Sequence, residues 1–178
     1  MSTHHRKEIQ SAITTVLPEI VAIRHHLHRN PEVSDNEKNT SAYVVEMLRS
    51  FGIEEIESGV GGYGVIANLR GTAPQSQGRT VAIRADMDAL PIQEENDVPY
   101  RSCVPGVMHA CGHDGHTSTL LGTAAVLSKL REQIPGTVRF VFQPAEETVG
   151  GATRMVAGGA LEGVESILAL HGWPGLDA

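Results

Sequence analysis

The chain has 178 residues, 40% of them hydrophobic, with a net charge of −7 and a pI near 5.7. That length suffices for one ordinary domain with its own core, while the acidic balance and the scattered Lys and Arg argue against a nucleic-acid surface. No apolar run approaches membrane-spanning length, so the composition points to a soluble protein whose partner is a small molecule.

Two cysteines, Cys103 and Cys111, are too few for a disulfide framework. Met1 to Gln10 is polar and lacks the apolar stretch of a secretory leader. The expected location is the cytoplasm.

In chain order, Ile9, Ile13, Val16, Leu17, Ile20, Ile23 and Leu27 recur at three- and four-residue steps, the mark of an amphipathic helix. Pro18 is expected to kink or split it, and Asn30-Pro31 to end it. His25, His26 and His28 fall in its last turn, where imidazoles suit the helix dipole; a metal reading of that cluster is the weaker alternative. A second helix is expected over Thr40–Phe51, with Val44, Met47, Leu48 and Phe51 inward and Gly52 as the terminating glycine. Ile53–Gly71 reads as strand, glycine turn and strand, and Thr72–Gly78 as a loop.

Thr80–Arg84 reads as a buried strand running into Asp86-Met87-Asp88, two acids expected on one side of the chain. Gln93–Val107 is polar and aperiodic, a loop expected to lie over the site. Leu120, Leu121, Ala124, Leu127 and Leu130 form a helical stripe ending near Pro135-Gly136. Thr137–Phe142 is a second strand, leading to Glu146-Glu147, and Gly150–Gly163 is at best a weak helix. Ser166–Leu170 reads as a third buried strand that delivers His171. Strands alternating with helices give the class α/β, a mostly parallel sheet flanked by helices.

The chemistry concentrates at His109-Ala110-Cys111-Gly112-His113-Asp114-Gly115-His116. A thiolate and neutral imidazoles are ligands for Zn, Mn, Ni or Co. Gly112 allows the turn that would aim Cys111 and His113 at one ion; His109 and His116 read rather as supporting or packing residues. Three strands each end in a ligand or base: Asp86 and Asp88, Glu146 and Glu147, and His171. Neighbouring glutamates point apart in extended chain, so one can bind metal while the other handles a proton, as metal-assisted hydrolysis requires. The plainer alternatives are an Asp-rich turn, a solvated Glu-Glu turn and a core histidine.

Arg84-Ala-Asp-Met-Asp-Ala-Leu-Pro91, the His109–His116 motif, Gln143-Pro-Ala-Glu-Glu147 and Leu170-His171 together resemble the M20 metallopeptidases, nearest the branch of hippurate hydrolases, N-acyl-amino-acid amidohydrolases and auxin-conjugate hydrolases. His26-Leu27-His28 followed by Pro31-Glu32 resembles their N-terminal signature. The resemblance implies a zinc-exopeptidase-like catalytic domain holding two divalent transition-metal ions. By motif, Cys111, His113, Glu147 and His171 would be metal ligands, Glu146 the general base, and Asp88 the supporting acid beside a ligand histidine. The substrate would be a small N-acyl amino acid, cleaved to a carboxylic acid and an amino acid.

The resemblance also implies more chain than is present. Residues 1–178 would be the N-terminal part of the catalytic domain, without the inserted dimerisation and lid domain or the returning segment that supplies a further histidine. Weak or absent turnover is therefore expected of this chain alone, with self-association through an exposed sheet edge. A non-catalytic metal- or partner-binding fragment and a structural zinc protein are the alternatives.

Overall fold

The computed structural model describes residues 3–74, 78–148 and 150–173. Helix α1 (Thr3–Arg29) runs unbroken with Pro18 inside it, so the expected split does not occur. Proline in mid-helix costs about 3 kcal/mol. The buried stripe of Val16, Ile23 and Leu27 offsets that loss, since each such side chain contributes roughly 1.5–3 kcal/mol. The stripe packs along α3 (His113–Lys129), and the two helices come close at Gly122, where a Cβ would stand 3.1 Å from Ile20.

Helix α2 (Lys38–Ser50) is set by its ends. The Glu32 carboxylate accepts from the backbone N–H groups of Asn39 (3.1 Å) and Thr40 (2.8 Å), which have no partner within the helix. Gly52, at φ 79°, closes the other end with Gly52 N–H to Arg49 O and Ile53 N–H to Leu48 O.

The sheet contains β1 (Glu55–Val60), β2 (Gly64–Arg70), β3 (Thr80–Asp86), β4 (Thr137–Gln143) and β5 (Ser166–Ala169), in the order β1-β2-β4-β3-β5. Strands β3, β4 and β5 are mutually parallel, and the β1–β2 hairpin joins them antiparallel through β2. The class is α/β as expected, and the sheet is mixed. Residues 75–77 of the Thr72–Gly78 loop lie outside the described residues.

Alternation along the strands sorts two apolar layers. Val65, Ala67 and Leu69 of β2 and Phe140 and Phe142 of β4 face α1, α2 and α3. Ile66 and Val141 face the other way, where Met155 of α4 (Gly151–Ala157) and Ala160 pack on them. Strand β5 departs from expectation: all four residues are exposed, Leu168 at 62%. It pairs with β3 on one side, and no buried apolar layer forms over it among the described residues.

Candidate metal centre

The parallel register of β3 and β4 places Asp86 opposite Gln143. Both strands therefore release the chain at one edge of the sheet, Asp88 from β3 and Glu146-Glu147 from β4, and β5 on the other flank of β3 releases His171 there. Strand C-terminal ends are where open α/β sheets place ligands. Helix α3 begins at the same edge, after Gly112 at φ 87°, a left-handed turn suited to glycine.

His113 is fully buried. Its Nδ1 donates to the Asp88 backbone oxygen at 2.9 Å and lies 3.2 Å from Asp88 Oδ1. Asp88 is itself fixed, with Oδ2 accepting from Ser34 Oγ at 2.6 Å and from the Glu147 N–H at 3.0 Å. These contacts orient the ring and leave Nε2 as the atom that can take a cation. Nε2 has no hydrogen-bond partner among the described residues. It lies 3.7 Å from Asp86 Oδ1, 3.8 Å from Glu146 Oε2 and 3.7 Å from Glu147 Oε1.

That spacing is what a shared ion requires. Ligand atoms at about 2.0–2.3 Å from a zinc-like ion stand roughly 3.3–3.8 Å from one another. Two donor sets, each within 4.8 Å, share His113: Cys111, His113 and Glu147 form one, and Asp86, His113, His116 and His171 the other. Cys111 Sγ is 3.6 Å from His171 Nε2. The four residues named as ligands from the motif are thus brought together.

The electrostatics point the same way. Burial, reinforced by the negative charge of Glu147, Glu146 and Asp86, pushes the Cys111 thiol up to about 12. Burial alone would lower the His113 pKa, but Asp88, Asp86 and Glu147 raise it. Burial would raise Asp86, yet His116, His113 and Arg84 hold it below the usual carboxylate range. Burial likewise opposes the lowering of Asp88, which His113, Ser34 and the backbone of Glu147 and Glu146 bring about. Crowded acids beside a thiol and a bare imidazole nitrogen form a donor set that a divalent cation would satisfy.

Three expectations need correction. Glu146 and Glu147 do not point apart: Ala145 sits at φ 50° and the chain bends there, so both carboxylates approach His113 Nε2. The 93–107 loop docks on the end of α1, with Tyr100 stacked on His25 at 4.0 Å and Cys103 N–H bonded to Arg29 O. His28 is no surface partner of the helix dipole; it is buried between Asp114 and Glu94.

His116, read as a supporting residue, has both ring nitrogens engaged by the protein. Its Nδ1 is 2.6 Å from Asp86 Oδ1, and its Nε2 accepts from the Gly172 N–H at 2.9 Å. The i, i+3 relation of His113 and His116 puts both rings on one side of α3. His109 is buried, and that burial pushes it down to about 4.

Residues 82–178 match the family described as peptidase family M20/M25/M40. An N-acyl-L-amino acid amidohydrolase of Geobacillus stearothermophilus is 50% identical over 173 residues, covering 97% of this chain and 46% of that protein. An N-acetyl-L-cysteine deacetylase of Bacillus subtilis is 41% identical over 162 residues, covering 91% and 38%. Among solved structures, the YxeP protein of Bacillus subtilis, described as a dinuclear metal binding peptidase of the M20 family, superposes with a TM-score of 0.83 at 42% identity, covering 94% of this chain and 45% of that one. The chain spans less than half the length of these relatives.

Proposed function

The chain belongs to peptidase family M20/M25/M40, and from that premise we propose that it is the metal-site half of an amidohydrolase that cleaves N-acyl amino acids, of the hippurate type, to a carboxylic acid and an amino acid. Residues 1–178 are read as the N-terminal part of the catalytic domain. The names of the amidohydrolase and deacetylase relatives support that substrate class. The observation that carries the reading is the convergence of three carboxylates on the unpartnered His113 Nε2.

Cys111, His113, Glu147 and His171 would hold two divalent ions, zinc, manganese, nickel or cobalt. Ions held there supply Lewis acidity to the reaction. Asp88 acts as a positioning residue, holding the His113 ring through Nδ1 and the Glu147 backbone through its N–H. Glu146, with its side chain 35% exposed, keeps one face toward solvent. It would take a proton from an attacking water and return it to the leaving amine.

The test is metal uptake by the purified chain, followed by assay on benzoylglycine and N-acetyl amino acids with added manganese or zinc. Uptake of about two ions and weak or absent turnover are expected. Glu147→Gln should lose uptake; Glu146→Gln should keep it and remove residual turnover. Failure to take up metal, or the reverse pattern for the two glutamates, overturns these assignments.

A further inference from the structure

We propose that His28, on α1, is a positioning residue for the turn that carries Cys111 and His113, and so sets metal affinity as well as stability. The inference rests on the reading that those two residues hold ions. His28 Nδ1 lies 2.9 Å from Asp114 Oδ2 and Nε2 lies 3.1 Å from Glu94 Oε1, with the His28 side chain 7% exposed and both carboxylates 1% exposed.

The two partners stand on either side of the metal-binding turn. Asp114 follows His113 in the first turn of α3. Successive helix side chains point about 100° apart, so His113 faces Asp88 while Asp114 faces α1. Glu94 lies in the 91–107 loop, whose ends are tied by paired Leu90–Met108 backbone bonds of 3.0 Å. Within the loop, Glu94 Oε2 accepts from the Ser102 N–H at 2.7 Å, and Arg101 Nη2 donates to the Glu94 backbone oxygen at 2.6 Å. The loop is thus folded around Glu94 and leads through Met108 into the turn. One ring grips both the segment before residues 109–112 and the helix after them.

The chemistry is specific to a ring with a nitrogen at each end. Carboxylate oxygens accept, and the imidazole sets one ring nitrogen against each of the two carboxylates. Arg24 Nε, 3.2 Å from Asp114 Oδ2, gives Asp114 a second donor, whereas α1 offers Glu94 the His28 ring alone among the described contacts. A side-chain amide at position 28 can donate from one end only and sets its carbonyl against one carboxylate. Adding an amide at position 94 restores the contact: its NH2 donates to that carbonyl and its oxygen still accepts from Ser102, while the Asn96 side-chain amide, which donates to Oε1 at 3.3 Å, turns over to present its own oxygen.

The experiment is cobalt(II) titration of the whole chain, read by the thiolate-to-cobalt absorption band, for the unaltered protein, His28→Gln, His28→Gln/Glu94→Gln and, as a control, His26→Gln, whose ring stacks on Tyr43. His28→Gln is expected to weaken cobalt binding about 10–100-fold, as loss of a supporting contact does; the double variant should recover most of it, and the control should not change. A folded His28→Gln that binds like the unaltered protein, or a folded double variant that stays weak, overturns the proposal. If His28→Gln does not fold, recovery of both fold and affinity in the double variant supports it. If the unaltered chain shows no band, or Cys111→Ala keeps it, the metal reading itself has failed; normal binding with an indifferent position 28 removes the His28 inference alone.

Discussion

Glu37, at the start of α2, accepts a hydrogen bond of 2.7 Å from the backbone N–H of Ala145, 108 residues away. Both residues are fully buried, and Ala145 is in the left-handed region at φ 50°. A non-glycine residue there carries a cost, and the Glu37 bond holds it. The bend so maintained turns Glu146 and Glu147 toward His113. Replacing Glu37 with Ala should leave the Ala145 N–H unpaired and cost about 1–3 kcal/mol, measurable by urea denaturation, with metal affinity falling as well.

The same group gives a pH dependence. Burial raises the Glu37 pKa, against the opposing backbone hydrogen bonds, and Oε2 has no hydrogen-bond partner among the described residues. A raised carboxyl pKa contributes stability below the unfolded value of about 4.5 that is lost as pH climbs through the folded value. Glu37→Gln cannot ionise. Its denaturation midpoint should fall less than that of the unaltered chain between mildly acidic and neutral pH. Parallel curves for the two proteins would show that Glu37 titrates normally.

Asp88→Ala removes the acceptor for Ser34 and for the Glu147 N–H and leaves His113 Nδ1 only the residue-88 backbone oxygen. Metal affinity should drop about 10–100-fold, read by calorimetric titration. Asp88→Asn should lie between, since its amide oxygen still accepts.

Metal uptake should release protons and stabilise the fold. The Cys111 thiol, pushed up to about 12, is protonated without a cation and must give up its proton to bind one. Calorimetry in buffers of different ionisation enthalpy measures that release. At 100 times Kd the ion should add about 2.7 kcal/mol to unfolding stability, and a chelator should remove it.

The outer edge of β5 should mediate association. Leu168 is 62% exposed, Leu170 82% and Trp173 70%, and β5 has no second partner strand among the described residues, so its apolar edge invites another strand. Leu168→Lys with Leu170→Lys should shift sedimentation toward monomer. An unchanged distribution would place any association elsewhere.

The sequence carried the local parts of this structure well. The α2 stripe and Gly52, the two strong strands, and the Cys111–His113 turn follow from periodicity, β-branched runs and a glycine between two ligands. The links that arrange those parts were not legible. His28 finds Glu94 and Asp114 across 66 and 86 residues, and nothing near His28 announces buried acids. Ala145 gives no sign of a left-handed bend, so Glu146-Glu147 reads as extended chain. Pro18 reads as a break because the packing on α3 that holds the helix together lies about 100 residues further on. An apolar strand such as β5 reads as buried whether or not anything covers it.

The donors around His113 come from four separated stretches of chain, at the end of β3, before and within α3, after β4 and after β5. A peptide of the 111–116 stretch carries only part of that donor set. Cation binding therefore reports on the finished sheet. Fraying of β5 alone would release His171 and leave Cys111, His113 and Glu147 in place, so the cage should lose its donors in stages rather than all at once.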